Sequence, residues 1–263
     1  MAAPRTADDH AFGQRPGEVT SFYAPPPVPD DGIITLPPDE ASHAHAVCRL
    51  KPKDAITIVD GEGLAHFCTV VTATPKKFAA QVIKTVKNWG EPQVAVTLAA
   101  GLSKGGKFDW MCEKATELGA TRIIPFISEK SAVKIDETAA ANRKIARYRR
   151  ITLAAMKQSL RSIWPEVGPI CTLDELIATF DAYHRILVGD PTPGSITFDK
   201  TAELVSSARK ILLIVGPESG FSPREIDRLR ANGAVSTALG PRRLRTEMAA
   251  IAFLARIMGV FEP

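Results

Sequence analysis

Nowhere in its 263 residues does the chain carry a C-x-x-C pair; Cys48, Cys68, Cys112 and Cys171 lie far apart. That spacing suggests neither a zinc site nor a disulfide framework, so no metal is expected, and scattered reduced thiols fit a cytoplasmic protein. No apolar run approaches the ~20 residues of a membrane span. Residues 1–18 lack the apolar core of a secretory signal and read as a disordered tail. A large charge excess is missing too: the net charge is +4, with 24% charged and 45% hydrophobic residues. This is ordinary globular composition, able to form a core without staples, and the length allows two modest domains or one large one.

The charge that is present is unevenly placed. Between Lys130 and Pro165, nine Lys/Arg stand against two acids, Asp136 and Glu137, so the rest of the chain is net acidic. Such a window points to a polyanion docked on one face. Arg143, Arg147, Arg150, Lys157 and Arg161 recur at helical spacing, with the small Ala154 on the same face. A solvated helix face is the plain alternative. Like charges at this spacing repel, however, so stability alone does not favour the stripe, and phosphate binding is the preferred reading.

From about Ser21 to Val86 the pattern is strand-like. Ala55–Val59 leads into Asp60-Gly61-Glu62-Gly63 and then Ala65–Val71, a hairpin signal, and another strand, Phe78–Val86, follows the turn at Lys76-Lys77. Short strands at this spacing predict a small β-barrel or curled sheet. Asn88–Pro92 is rich in breakers and reads as a linker. The rhythm then changes to alternating strands (Val94–Leu98, Arg122–Ile127, Arg185–Val188, Ile211–Val215, Val235–Leu239) and helices (Lys107–Leu118, about Thr138–Arg161, one opening at Ser222-Pro223-Arg224-Glu225, and Thr246–Met258). That alternation predicts an α/β fold with a parallel sheet covered by helices. The domain reading is a tail over 1–18, a β-domain over 19–87 and an α/β domain over 92–263.

Two segments carry candidate chemistry. Gly101–Phe108 nearly fits the phosphate-loop pattern G-x-x-x-x-G-K-[ST] after a strand, but Phe108 cannot supply the hydroxyl that holds magnesium. A flexible glycine loop before a helix is the better reading. The sharper signal lies further on. Ile211–Val215 runs into Gly216-Pro217-Glu218-Ser219-Gly220-Phe221-Ser222-Pro223, Val235–Leu239 runs into Gly240-Pro241-Arg242-Arg243-Leu244-Arg245-Thr246-Glu247, and Val188 runs into Gly189-Asp190-Pro191. Open α/β sheets bind ligands at the carboxyl ends of strands, and glycines let backbone approach a nucleoside closely.

GPESGFSPRE and LGPRRLRTE resemble the paired signatures of the RsmE family of SPOUT RNA methyltransferases. Lys104-Gly105-Gly106-Lys107 with Lys114–Gly119 is similar to the family's K-G-x-K and K-x-x-E-L-G stretch. Gln158-Ser159, Arg161 and Pro165 fit a third block, and Phe22-Tyr23-Ala24-Pro25 with His43 and Arg49 fit the N-terminal pattern. Four positions depart from it: Ser21 stands where an arginine is usual, Ser219 replaces a glycine, Lys157 an acid and Leu160 a small residue.

The resemblance implies a PUA-like β-barrel followed by a SPOUT domain with a trefoil knot, a homodimer, and S-adenosyl-L-methionine as cofactor. It implies methylation of ring nitrogen 3 of a uridine in 16S ribosomal RNA, within the small ribosomal subunit. Cofactor-binding residues on this reading are Gly189, Val215, Gly216, Pro217, Glu218, Gly220, Leu239, Gly240, Leu244, Arg245 and Thr246. Arg245 is the candidate to stabilise the uridine anion, and Glu218 or Glu247 the candidate base, with a capping role equally open for Glu247. RNA contacts are expected from Arg49, Lys104, Lys107, Arg147, Arg150 and Arg161. A SPOUT enzyme acting on tRNA or a ribose hydroxyl, and a non-enzymatic RNA-binding protein, are the alternatives.

Overall fold

A computed structural model describes residues 20–75, 77–131 and 138–262. The tail reading, Lys76, Asp136 and Glu137 fall outside these residues. The chain forms two compact units, one holding the described residues up to Glu91 together with Met156–Trp164, the other Pro92–Ala155 and the chain from Pro165 onward.

In the first unit, β1 (Ser21–Tyr23), β2 (Ile33–Thr35), β3 (Ala55–Val59), β4 (Leu64–Ala73) and β5 (Phe78–Lys87) form one sheet in the order β1-β3-β4-β5-β2. β1 runs parallel to β3 and the other pairs are antiparallel. The expected hairpin joins β3 to β4, with Val59 opposite Ala65. Asp60 fixes the turn because its carboxylate accepts from the amides of Glu62 and Leu64 at 2.8 and 2.9 Å. Phe22, Ile34, Ile56, Ile58 and Phe78 fill the core beneath α1 (Pro38–Ser42) and the π-helical turn His43–Val47.

Met156–Trp164 belongs to this unit, although the sequence reading placed it in the second domain. Glu91 holds it. Its carboxylate accepts from the Arg161 guanidinium at 2.6 Å and from the amides of Ser162 and Ile163 at 2.9 and 2.8 Å. The Trp164 amide donates to the Gly61 carbonyl at 2.9 Å, and its ring meets Tyr23 edge-on.

The second unit is built on β6 (Ala95–Gly101), β7 (Arg122–Ile127), β8 (Glu166–Val167), β9 (Cys171–Thr172), β10 (Arg185–Gly189), β11 (Lys210–Val215) and β12 (Val235–Thr237). The order is β12-β10-β11-β6-β7-β8, with β9 also on β7, and every pair is parallel. Its helices are α2 (Lys107–Glu117), α3 (Thr138–Gln158), α4 (Leu173–Ile177), α5 (Phe198–Val205), α6 (Pro223–Ala231) and α7 (Thr246–Phe261). Both faces of the sheet are covered, so β11 reads as an unbroken apolar run. Ile211, Leu213 and Val215 pack with Phe253, Leu254 and Ile257 of α7 on one face, while Leu212 and Ile214 pack with Ile226 and Leu229 of α6 on the other. The α/β class expected from the strand-helix rhythm is the one observed. α6 opens where expected, with a capping box in which Ser222 and Glu225 bond each other's backbone. Among the described residues, no helix is long and apolar enough to cross a membrane.

Candidate active site

β12, β10 and β11 are neighbours and parallel, so their carboxyl ends open on the same edge of the sheet. Gly189 sits in register with both Val215 and Thr237. The loops leaving these ends enclose a cavity of about 840 Å³, within the roughly 300–1,000 Å³ usual for small-molecule sites.

Gly189 opens the first loop. Asp190 beside it is buried; its carboxylate accepts from the Thr192 amide at 3.1 Å and from Arg230 of α6 at 3.2 Å. The same guanidinium donates to Ser236 of β12 at 2.9 Å, tying two strand ends together. Sequence reasoning missed Arg230, since nothing in its local pattern distinguishes it from a solvated helix residue. The second loop brings Val215, Gly216, Pro217, Glu218 and Gly220 to the cavity. The Phe221 ring stacks on Phe126, Ser219 Oγ donates to the Lys130 carbonyl at 2.5 Å, and Lys130 Nζ donates to the Phe221 carbonyl at 3.2 Å. Lys130 also lines the cavity and was not foreseen. The third loop adds Leu239, Gly240, Leu244 and Thr246. Gly240 has φ +133, a region L side chains rarely adopt, and a Cβ there would meet nothing within 4 Å.

Arg245, expected among the cavity residues, needs correction. It caps the entry to α7 with extended backbone, φ −69 and ψ 153, and is exposed. Leu244 and Thr246 line the large cavity and Arg245 does not. It lines instead an adjoining cavity of about 470 Å³ with Lys107, Glu218, Arg243, Leu244 and Thr246. Glu218 borders both cavities, and its carboxylate pairs with Lys107 Nζ, each side chain 37% exposed. A residue expected to act in chemistry and one expected to touch RNA thus meet. Glu247 is the acid in the first turn of α7, where negative charge suits the helix dipole; its Oε2 is shielded from solvent and has no partner among the described residues.

Of the expected RNA contacts, Arg49 and Arg150 are exposed, and Lys104 and Arg147 line a separate cleft. Arg161 is a second correction. α3 ends at Gln158, Leu160 takes φ +57, and the turn carries Arg161 inward, where it is 2% exposed against Glu91. Lys157 is paired with Glu40. The basic stripe therefore stops at Arg150.

The cysteines offer no nucleophile. Burial pushes Cys68 up to about 12 and Cys171 to about 11, and raises Cys112 further. Among the described residues, no group of three or more His, Cys, Asp or Glu is placed to hold a metal.

Residues 90–258 match a family model described as an RNA methyltransferase domain, and residues 36–83 one described as an RNA methyltransferase PUA domain. The chain is 30% identical over 223 residues to ribosomal RNA small subunit methyltransferase E of Bacillus subtilis, spanning 83% of this chain and 87% of that protein. It is 30% identical over 227 residues to the Aquifex aeolicus protein of the same name, spanning 86% and 94%. The crystal structure of a ribosomal RNA small subunit methyltransferase E from Neisseria gonorrhoeae, bound to S-adenosyl methionine, matches with a TM-score of 0.82 at 27% identity, covering 93% of this chain and 98% of that one.

Proposed function

The chain belongs to the ribosomal RNA small subunit methyltransferase E family, and we propose that it transfers the methyl group of S-adenosyl-L-methionine to ring nitrogen 3 of a uridine in 16S ribosomal RNA. The observation that carries this reading is the pair of adjoining cavities at the ends of β10, β11 and β12, sharing Glu218, Arg243, Leu244 and Thr246. The larger one suits the cofactor. Gly189, Gly216 and Gly240 expose backbone groups to an adenosine edge, and Leu239, Leu244 and Ile226 offer apolar surface to its faces. When bound, the cofactor supplies a methyl group on a positively charged sulfur.

The smaller cavity suits the target base. Ring nitrogen 3 of uridine carries a proton at neutral pH, so it has no free lone pair until that proton leaves. The negative charge that then spreads over the ring needs fixed cationic donors. Arg245, with Arg243 and Lys107 beside it, provides them. Glu218, at the junction of the two cavities, is the carboxylate placed to take the proton.

On this reading the β-domain over 19–87 grips RNA, the domain over 92–263 is threaded as a trefoil knot, and the enzyme works in the cytoplasm as a homodimer. The exposed apolar side chain of Met248 near the start of α7, at 49%, supports a partner on that face. The test is calorimetric titration with S-adenosyl-L-methionine, followed by single-turnover transfer to small-subunit RNA. Saturable binding with transfer is expected; no binding would overturn the reading.

A further inference from the structure

Within the segment Gly101–Phe108, set aside as a nucleotide loop, Ser103–Gly106 and Phe108 form one wall of a cleft of about 690 Å³. Ser103, Lys104, Gly105 and Gly106 come from the turn between β6 and α2, and Arg143, Lys144 and Arg147 from the first turns of α3. The floor is Phe108 against Tyr148, ring centroids 4.7 Å apart. Among the described residues, four cations therefore line the cleft with one carboxylate, Asp109, which holds Arg147 at 2.5 Å. Among the described residues, Lys104, Arg143 and Lys144 have no carboxylate partner. Ser103 is only 9% exposed, lines the cleft, and its hydroxyl has no hydrogen-bond partner among the described residues. The turn also opens an eleven-residue helix whose cap makes no side-chain hydrogen bond, leaving its first amides toward an anion.

We propose that this cleft is a phosphate subsite for the backbone of the RNA substrate. The proposal rests on the reading of the chain as an RNA methyltransferase. A nucleoside triphosphate fits less well, because it carries magnesium and Phe108, buried, stands where the metal-holding hydroxyl would be. A phosphodiester needs no metal, only donors and positive charge. Its placement suits the chemistry. Gly106 lines the cleft, and the next residue, Lys107, lines the small cavity beside Glu218. One turn can thus hold a backbone phosphate on one side and present the target base on the other.

The test measures binding of a 16S ribosomal RNA fragment by fluorescence anisotropy across a salt series. The triple variant Lys104→Ala/Arg143→Ala/Lys144→Ala should bind at least ~10-fold more weakly, with the salt slope reduced by roughly 0.7–0.9 per lost contact. A charge-matched control, Lys200→Ala/Arg209→Ala/Lys210→Ala, removes exposed cations outside the cleft and should change little. Gly105→Asp and Gly105→Asn separate charge from shape. The φ of +71 strains both residues alike and a Cβ there meets nothing within 4 Å, so only the aspartate's charge should weaken RNA binding further. Unchanged affinity and slope in the triple variant, equal loss in the control, or equal effects of Asp and Asn would overturn the proposal. So would tight ATP binding that the triple variant loses. A wild-type chain that methylates no ribosomal RNA would instead sink the reading of its function, whereas intact methylation with an indifferent triple variant would remove the cleft alone.

Discussion

Replacing Arg161 by alanine should destabilise the first unit severely while leaving RNA affinity per folded molecule unchanged. Arg161 and Glu91 have side chains 2% and 4% exposed, and the guanidinium reaches Glu91 Oε2 at 2.6 Å. Removing one partner of a buried ion pair typically costs ~3–5 kcal/mol, because the other charge stays desolvated. Two amides, Ser162 and Ile163, would still hold the carboxylate, so the lower end of that range is expected. At roughly 2–4 °C per kcal/mol for a chain of this size, the melting temperature should fall by about 6–12 °C. Arg161→Ala/Glu91→Gln should recover part of the loss, since no unpaired charge remains. Urea unfolding of the full chain, followed by Trp89 and Trp164 fluorescence, reads this out. A loss below ~1 kcal/mol, or RNA affinity that falls in a fully folded variant, would refute the reasoning and return Arg161 to the RNA surface.

Three further outcomes follow from the same geometry. Gly240→Val places a β-branched residue at φ +133 on the cavity wall; calorimetry should show cofactor affinity lower by at least ~10-fold, with strain of ~1–3 kcal/mol as the only cost to the fold. Arg245→Lys should keep the cofactor affinity and lose ~10²–10³ in single-turnover methyl transfer, and near-normal turnover would remove Arg245 from the chemistry. His66 is buried, with Nδ1 on Thr85 Oγ1 at 2.9 Å and Nε2 without a partner among the described residues, and burial lowers its pKa. As pH falls through about 6.5 the unfolded state takes a proton that the folded state refuses, so stability drops toward acid. His66→Gln should flatten that slope in urea midpoints measured from pH 7 to 5; an unchanged slope would exclude His66 as its source.

The strand-end loops were legible because glycine and proline mark turns wherever they stand, and apolar runs of five or six residues mark buried parallel strands. Ile211–Val215 and Arg122–Ile127 were located to within one residue for that reason. β1, β2, β8 and β9, each two or three residues long, give no period to read, and α4 and α5 are short helices that no pattern announced. Helical spacing alone carries Arg161 onto the basic stripe, but α3 stops at Gln158. What ends that helix is a left-handed turn at Leu160 and a carboxylate seventy positions earlier in the chain, at Glu91. Long-range partners such as Arg230 with Asp190 leave no local trace at all.

The central claim is the identity of the methylated atom, and nucleoside mass spectrometry tests it most directly. Small-subunit ribosomal RNA lacking the modification is incubated with the purified chain and isotope-labelled S-adenosyl-L-methionine, digested to nucleosides, and compared with standards. Labelled 3-methyluridine, formed ~10²–10³ more slowly when Arg245→Lys replaces the wild type, is the predicted product. Label on a ribose hydroxyl, on another base or only in tRNA would contradict the account.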